Sequence, residues 1–308
     1  MKGRPCDKRA VIAIFACFSA CVRTDLTAIR GVAIDGGPGK ASAADAAPPC
    51  PTVMLSPGDS TLAITVGGIQ RSYLLHVPAA YDGNAPVPLI LDFHAMPGSG
   101  AGEESISPYP AVVDAEGVVM AFPNGQVGPD GAAWNVGPCC VAGVDDVAFA
   151  RAVVAQVKEL ACIDPERVFA VGAVMGGGMA YYLACNAADV FAGVSSAGFD
   201  LLQETVAACQ PSRPLTVISF RSPTDTLVPY AGGSSALVPG MPVTFLGAQK
   251  TFATWASLDD CAPSPSPADS SGCSSYPDCG GGVQVILCNT GTPNAAMAWP
   301  VLLAHPKP

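Results

Sequence analysis

Apolar and polar residues alternate along Thr61–Val66 and Arg71–Val77, and the two runs flank Gly67-Gly68. Period-two alternation around a glycine pair predicts a β-hairpin with one face buried. PLILDFH (88–94) and GVVMAFP (117–123) are instead continuous apolar runs, the pattern of strands covered on both faces of a sheet. In VDDVAFARAVVAQVKEL, residues Val147, Ala150, Val153, Val154, Val157 and Leu160 recur at helical spacing. Asp145 or Asp146 stands where that helix needs an N-cap. A strand over Arg167–Val171 then leads through a glycine-rich turn into a helix over Gly176–Cys185. Phe191–Ser196 and Pro214–Phe220 predict two more strands, Gln249–Leu258 a helix and Val283–Leu287 a last strand. Strands alternating with helices predict an α/β fold: a mostly parallel central sheet, opened by an antiparallel hairpin, with helices on both faces.

Composition sharpens this picture. Of 308 residues half are hydrophobic and 13% are charged, enough for one large domain with a substantial core. The net charge of −10 argues against a nucleic-acid partner, because phosphate binding needs concentrated positive charge. Lys2, Arg4, Lys8 and Arg9 precede an apolar run, Ala10–Phe18, that is too short to span a bilayer and reads as an export signal. Phe18-Ser19-Ala20-Cys21 resembles a bacterial lipobox, so Cys21 is a candidate lipidated N-terminus and membrane anchor; an ordinary secretory signal is the alternative. Residues 22–49, rich in Ala, Gly, Pro and Asp, read as a flexible linker, leaving 50–308 as a single domain.

Beyond Cys21 ten cysteines remain, an even number that reads as a disulfide framework in an exported chain. Local spacing suggests Cys185 with Cys209 and Cys261 with Cys279, although spacing alone does not settle connectivity. The segment 262–282, with Ser, Pro, Gly and two cysteines, reads as a stapled surface loop. With no C-x-x-C pair and three scattered histidines, no metal site is expected, and no cofactor motif is present.

The stretch RVFAVGAVMGGGMAYYLAC (167–185) carries the most specific signal. Gly172 and Gly176 bracket Val174, a spacing that lets the chain reverse sharply and the next helix pack close to the strand. Four stretches in order then resemble the secreted polyhydroxybutyrate depolymerase and feruloyl esterase family, the LpqC-like α/β-hydrolases. They are WNVGPCCVAGVDDVAF (134–149), IDPERVFAVGAVMGGGMAYYLACNAADVFAGVSSAG (163–198), PTDTLVPYAGG (223–233) and AMAWP (296–300). The resemblance implies an α/β-hydrolase fold and carboxylic ester hydrolysis by a Ser-His-Asp triad.

Carried over one by one, the family's serine falls on Val174, its acid on Asp225, which is retained, and its histidine on Met297. Acyl transfer of this kind needs an oxygen nucleophile and a base to take its proton, and neither Val174 nor Met297 supplies one. The family's His-Gly before the acid becomes Arg221-Ser222, with Arg221 expected in solvent and pairing with a neighbouring carboxylate as the alternative. His94, Ala95, Trp134, Met175 and Trp299 are expected to line what remains of the cleft, with His94 at a strand's carboxyl end. Ser195, Ser196, His76 and His305 are expected in structural or solvated roles. The resemblance thus implies an exported, catalytically degenerate protein that binds an ester, aromatic or polysaccharide ligand. An active hydrolase of short polyesters or feruloyl esters, working through other residues, remains the alternative.

Overall fold

In the computed structural model, which describes residues 50–52, 55–238 and 241–308, the alternating runs pair as strands β1 (Gly58–Val66) and β2 (Ile69–Val77). Gly67 and Gly68 turn between them with φ of 58° and 81°, a region L side chains rarely adopt. Tyr73, Leu75 and Val77 of β2 point inward while their neighbours are half-buried, as the alternation requires. The expected signal (1–21, with Cys21) and linker (22–49) lie outside the described residues.

The continuous apolar runs form the centre of one nine-stranded sheet. Its further strands are β3 (Val87–Phe93), β4 (Val119–Pro123), β5 (Ile163–Ala173) and β6 (Gly193–Ala197). β7 (Thr216–Phe220), β8 (Cys273–Tyr276) and β9 (Val285–Cys288) complete it. The order across the sheet is β1-β2-β4-β3-β5-β6-β7-β9-β8. β4, β3, β5, β6, β7 and β9 run parallel, and the antiparallel strands sit at the two edges.

Short helices α1 (Gly100–Glu104) and α2 (Pro110–Val113) follow β3. Helices α3 (Asp146–Leu160), α4 (Met175–Asn186) and α5 (Ala248–Leu258) cover one face through Phe149, Val153, Met179, Leu183, Phe252 and Trp255. α2 and α6 (Ala295–Ala304) cover the other through Val113, Trp299 and Leu302. Asp145 caps α3, accepting from the Ala148 N–H at 2.8 Å. Asp146 does something else: it is buried, pairs with Arg71 of β2 at 2.8 Å and accepts from the Asn135 N–H at 2.7 Å. One turn of sequence thus ties a strand, a loop and a helix together.

Ten cysteines form five disulfides: Cys50–Cys162, Cys139–Cys140, Cys185–Cys209, Cys261–Cys279 and Cys273–Cys288. A chain stapled in this way matures in an oxidising compartment. The segment 262–282 is more than a loop, since it supplies edge strand β8, fastened to β9 by Cys273–Cys288.

Candidate functional site

The parallel strands end together along one edge, and the turn after β5 is the sharpest feature there. Val174 takes φ 50° and ψ −117°, strained for a β-branched residue. Its N–H donates to the Ala197 carbonyl at 2.7 Å, and its own carbonyl accepts from the Gly178 N–H at 3.1 Å. A Cβ at Gly176 would collide with the Phe93 carbonyl, and one at Gly172 would lie 2.7 Å from the same oxygen. The glycines therefore let β5, α4 and β3 approach to backbone contact. The half-buried side chain presented at the tip is an isopropyl group.

Asp225 follows β7 along the same edge. Its Oδ1 accepts from the Leu227 and Val228 N–H groups at 2.9 and 3.0 Å, and its Oδ2 lies 3.8 Å from Nη2 of Arg221. Arg221 departs from the sequence expectation: it is wholly buried, not solvated. Its Nη1 pairs with Asp200, also wholly buried, and its Nη2 donates to the Val228 carbonyl at 2.6 Å. Burial pushes the Asp200 carboxyl up to about 6 even though the guanidinium opposes this. Nothing in the sequence singled Asp200 out. Met297 lies in the first turn of α6, half-buried against the apolar cluster of that face, and its N–H is capped by Asn294 at 3.1 Å.

The residues expected along the cleft are mostly interior. Trp134 has no exposed surface; it donates from Nε1 to the His94 carbonyl at 2.9 Å and packs edge-on to Phe93. Met175 and Trp299 are buried as well, and Trp299 donates from Nε1 to Glu116 at 3.0 Å. Ala95 is half-buried. His94 is buried with both ring nitrogens engaged: Nδ1–H donates to the Ala95 carbonyl at 2.8 Å and Nε2 accepts from the Gly125 N–H at 2.9 Å. That pattern is a neutral imidazole, and burial lowers its proton affinity further. The other two histidines are also occupied. His76 meets Asp59 at 2.6 Å, and His305 donates to the Val301 carbonyl at 2.6 Å where α6 ends. Glu104 joins Asp59 and His76 in a trio of donor atoms within 4.8 Å of one another, but Asp59 already holds the ring Nδ1.

Sequence reasoning also missed a carboxyl pair beside the elbow. Asp92, Glu103, Tyr109, Ser195, Gly172, Ala173 and Pro293 line a small cavity of about 10 Å³. Burial holds Asp92 and Glu103 well above the usual carboxylate range, and the Glu103 charge raises Asp92 further. Ser107 Oγ–H donates to Asp92 Oδ2 at 2.6 Å. Val174, at the neighbouring tip, offers no hydroxyl for either acid to deprotonate.

No family model matches the chain. Its relatives include feruloyl esterase B of Piromyces equi, 39% identical over 221 residues, which are 71% of this chain and 41% of that protein. Feruloyl esterase C of Emericella nidulans is 31% identical over 188 residues, 58% of this chain and 65% of that protein. The chain thus spans between 41% and 65% of these relatives' length. Among solved structures, acetyl xylan esterase from Aspergillus awamori aligns with a TM-score of 0.58 at 14% identity, covering 79% of this chain and 98% of the other. Native pOPH aligns with a TM-score of 0.53 at 13% identity, covering 84% and 90%. The chain has the α/β-hydrolase fold, and the relatives it matches by sequence are named esterases.

Proposed function

We propose that this is an exported esterase-like protein of the polyhydroxybutyrate depolymerase and feruloyl esterase type that has lost hydrolysis and acts by binding an ester, aromatic or polysaccharide ligand. The observation that carries this reading is the elbow itself. Its backbone is held as a nucleophile turn would be, yet Val174 stands at the tip, and all three histidines are engaged elsewhere. Without an oxygen nucleophile and a base, only positioning and backbone donors remain, and rates of acyl transfer fall by several orders of magnitude. Ser195 and Ser196 do not substitute: both lie buried within β6, and neither is itself presented at the tip of a glycine-bracketed turn.

Purified, disulfide-intact protein should not hydrolyse p-nitrophenyl butyrate above the buffer rate. Val174→Ser combined with Met297→His should gain turnover that neither single substitution gives, with Asp225 as the orienting acid. Turnover by the unaltered protein that survives replacement of Ser195, Ser196 and His305 would overturn the reading.

A further inference from the structure

Where the β1–β2 hairpin meets α1, four elements bring polar groups to one imidazole. Asp59 of β1 and His76 of β2 stand directly opposite each other in the hairpin register, and Asp59 Oδ1 lies 2.6 Å from His76 Nδ1. Glu104 ends α1 and adds a third donor, so that one ligand atom from each of the three lies within 4.8 Å of the others. Asp114, in the helical turn Asp114–Glu116, comes to the other ring nitrogen, with Oδ1 at 3.5 Å from Nε2. Asp59 is exposed and the other two donors are half-buried, so an ion can enter from solvent.

Charge and ring orientation both point to a cation. Three carboxylates face one imidazole, which even when protonated carries a single positive charge. Among the described residues no Lys or Arg pairs with any of the three. Nε2 and Asp114 Oδ1 are both closed to solvent, and neither has a hydrogen-bond partner. A histidine that binds a metal through one nitrogen turns the N–H of the other toward a carboxylate, which fixes its tautomer and orientation. Asp114 stands in that place. The lone pair of Nδ1 is then the free one, and it faces Asp59 and Glu104. One imidazole nitrogen with two carboxylate oxygens suits zinc, whose three-ligand sites keep a fourth position for water. Magnesium, which prefers oxygen ligands, gains nothing from the ring.

We propose that Asp59, His76 and Glu104 bind one zinc-type divalent ion, which takes the place of the proton between Asp59 and Nδ1 while Asp114 holds Nε2–H. The ion fastens the β1–β2 hairpin to α1. The site shares no residue with Val174, Asp225 or Met297, so it stands whether or not the elbow is silent.

The test is calorimetric titration of the full, disulfide-intact chain with zinc chloride, after chelator treatment and with any thiol outside the disulfides blocked by N-ethylmaleimide. One equivalent should bind with a dissociation constant of about 10 μM or tighter. In the NMR spectrum the ring resonances of His76, alone among the three histidines, should move with zinc. His76→Gln should abolish binding, and Glu104→Gln should weaken it by about tenfold or more. Asp114→Asn leaves all three ligands in place and should still weaken binding by about 10–100-fold. Glu104→Gln carries the test if the loss of His76 unfolds the hairpin. Magnesium chloride in place of zinc should bind at least about tenfold more weakly. The proposal is overturned by an absence of zinc binding, by binding unchanged in His76→Gln or Glu104→Gln, or by a shift at His94 or His305 in place of His76. Equal binding of magnesium, the mark of an acidic patch in which the ring has no part, overturns it as well. Ester hydrolysis plays no part in any of these readouts.

Discussion

Arg221 puts a permanent charge in the interior, and the residues around it are arranged to meet that charge. Asp200 neutralises it, the Val228 carbonyl takes an Nη2 hydrogen and Asp225 stands 3.8 Å away. Removing one member of such a pair leaves the other desolvated and uncompensated, which costs about 3–5 kcal/mol. Arg221→Ala should therefore lower stability to urea by about that amount, whereas Arg221→Met with Asp200→Leu should lose much less. Equal losses in the two variants would mean that packing, not charge, matters at this point. At this scale the sequence is an uneven guide. Val174 and Met297 can be placed because motifs surround them. The partners of Arg221 and His94 cannot, since Asp200 and Gly125 lie 21 and 31 residues away in sequence and meet them only through the sheet.

Elements were more readable than residues wherever one period dominated. The alternation of β1 and β2, the apolar runs of β3 and β4 and the helical spacing of α3 all appear where the pattern puts them. α6 gives no such pattern. It is apolar almost all round and has Pro300 inside it, and it is held by Asn294 at its cap and by Trp299 and Leu302 against the sheet. β8 is also hidden, because Ser-rich CSSY has little strand character and pairs through its disulfide-bound edge position. The elbow lies between these cases: two glycines announce it, and contacts with a distant strand explain it. Gly176→Ala tests this directly. Its Cβ would strike the Phe93 backbone carbonyl, which no rotamer change can relieve. The variant should lose about 3 kcal/mol or more, or fail to accumulate folded, while Gly282→Ala, with open space around its Cβ, should cost only the milder penalty of a positive φ. Comparable losses at the two sites would show that β3 yields to the added methyl.

For the molecule as a whole, the buried acids set how stability depends on pH. Asp92 and Glu103 share the cavity beside the elbow, and burial holds both above the carboxylate range. Asp259 is pushed up to about 7 by burial, against the opposing pull of the Leu215 N–H and Arg213, and Asp200 to about 6. In the unfolded chain these acids titrate near pH 4. Between pH 4 and about 7 the folded state therefore holds more protons than the unfolded state, so stability falls as pH rises. Each such group contributes on the order of 1 kcal/mol per pH unit across its own window. Below pH 4 the sign reverses for carboxylates whose folded form favours ionisation, such as Asp189 beside Arg151, although that pair is exposed and contributes little. The net charge of −10 at neutral pH adds self-repulsion in the same direction as the buried acids. Thermal unfolding should accordingly occur at least about 5 °C higher at pH 5 than at pH 8. Asp92→Asn separates the two causes, since it keeps the shape of the protonated acid and changes the net charge by only one. If buried acids dominate, this variant should show a markedly flatter profile between pH 5 and pH 8, and a slope unchanged from the parent would assign the effect to surface charge instead.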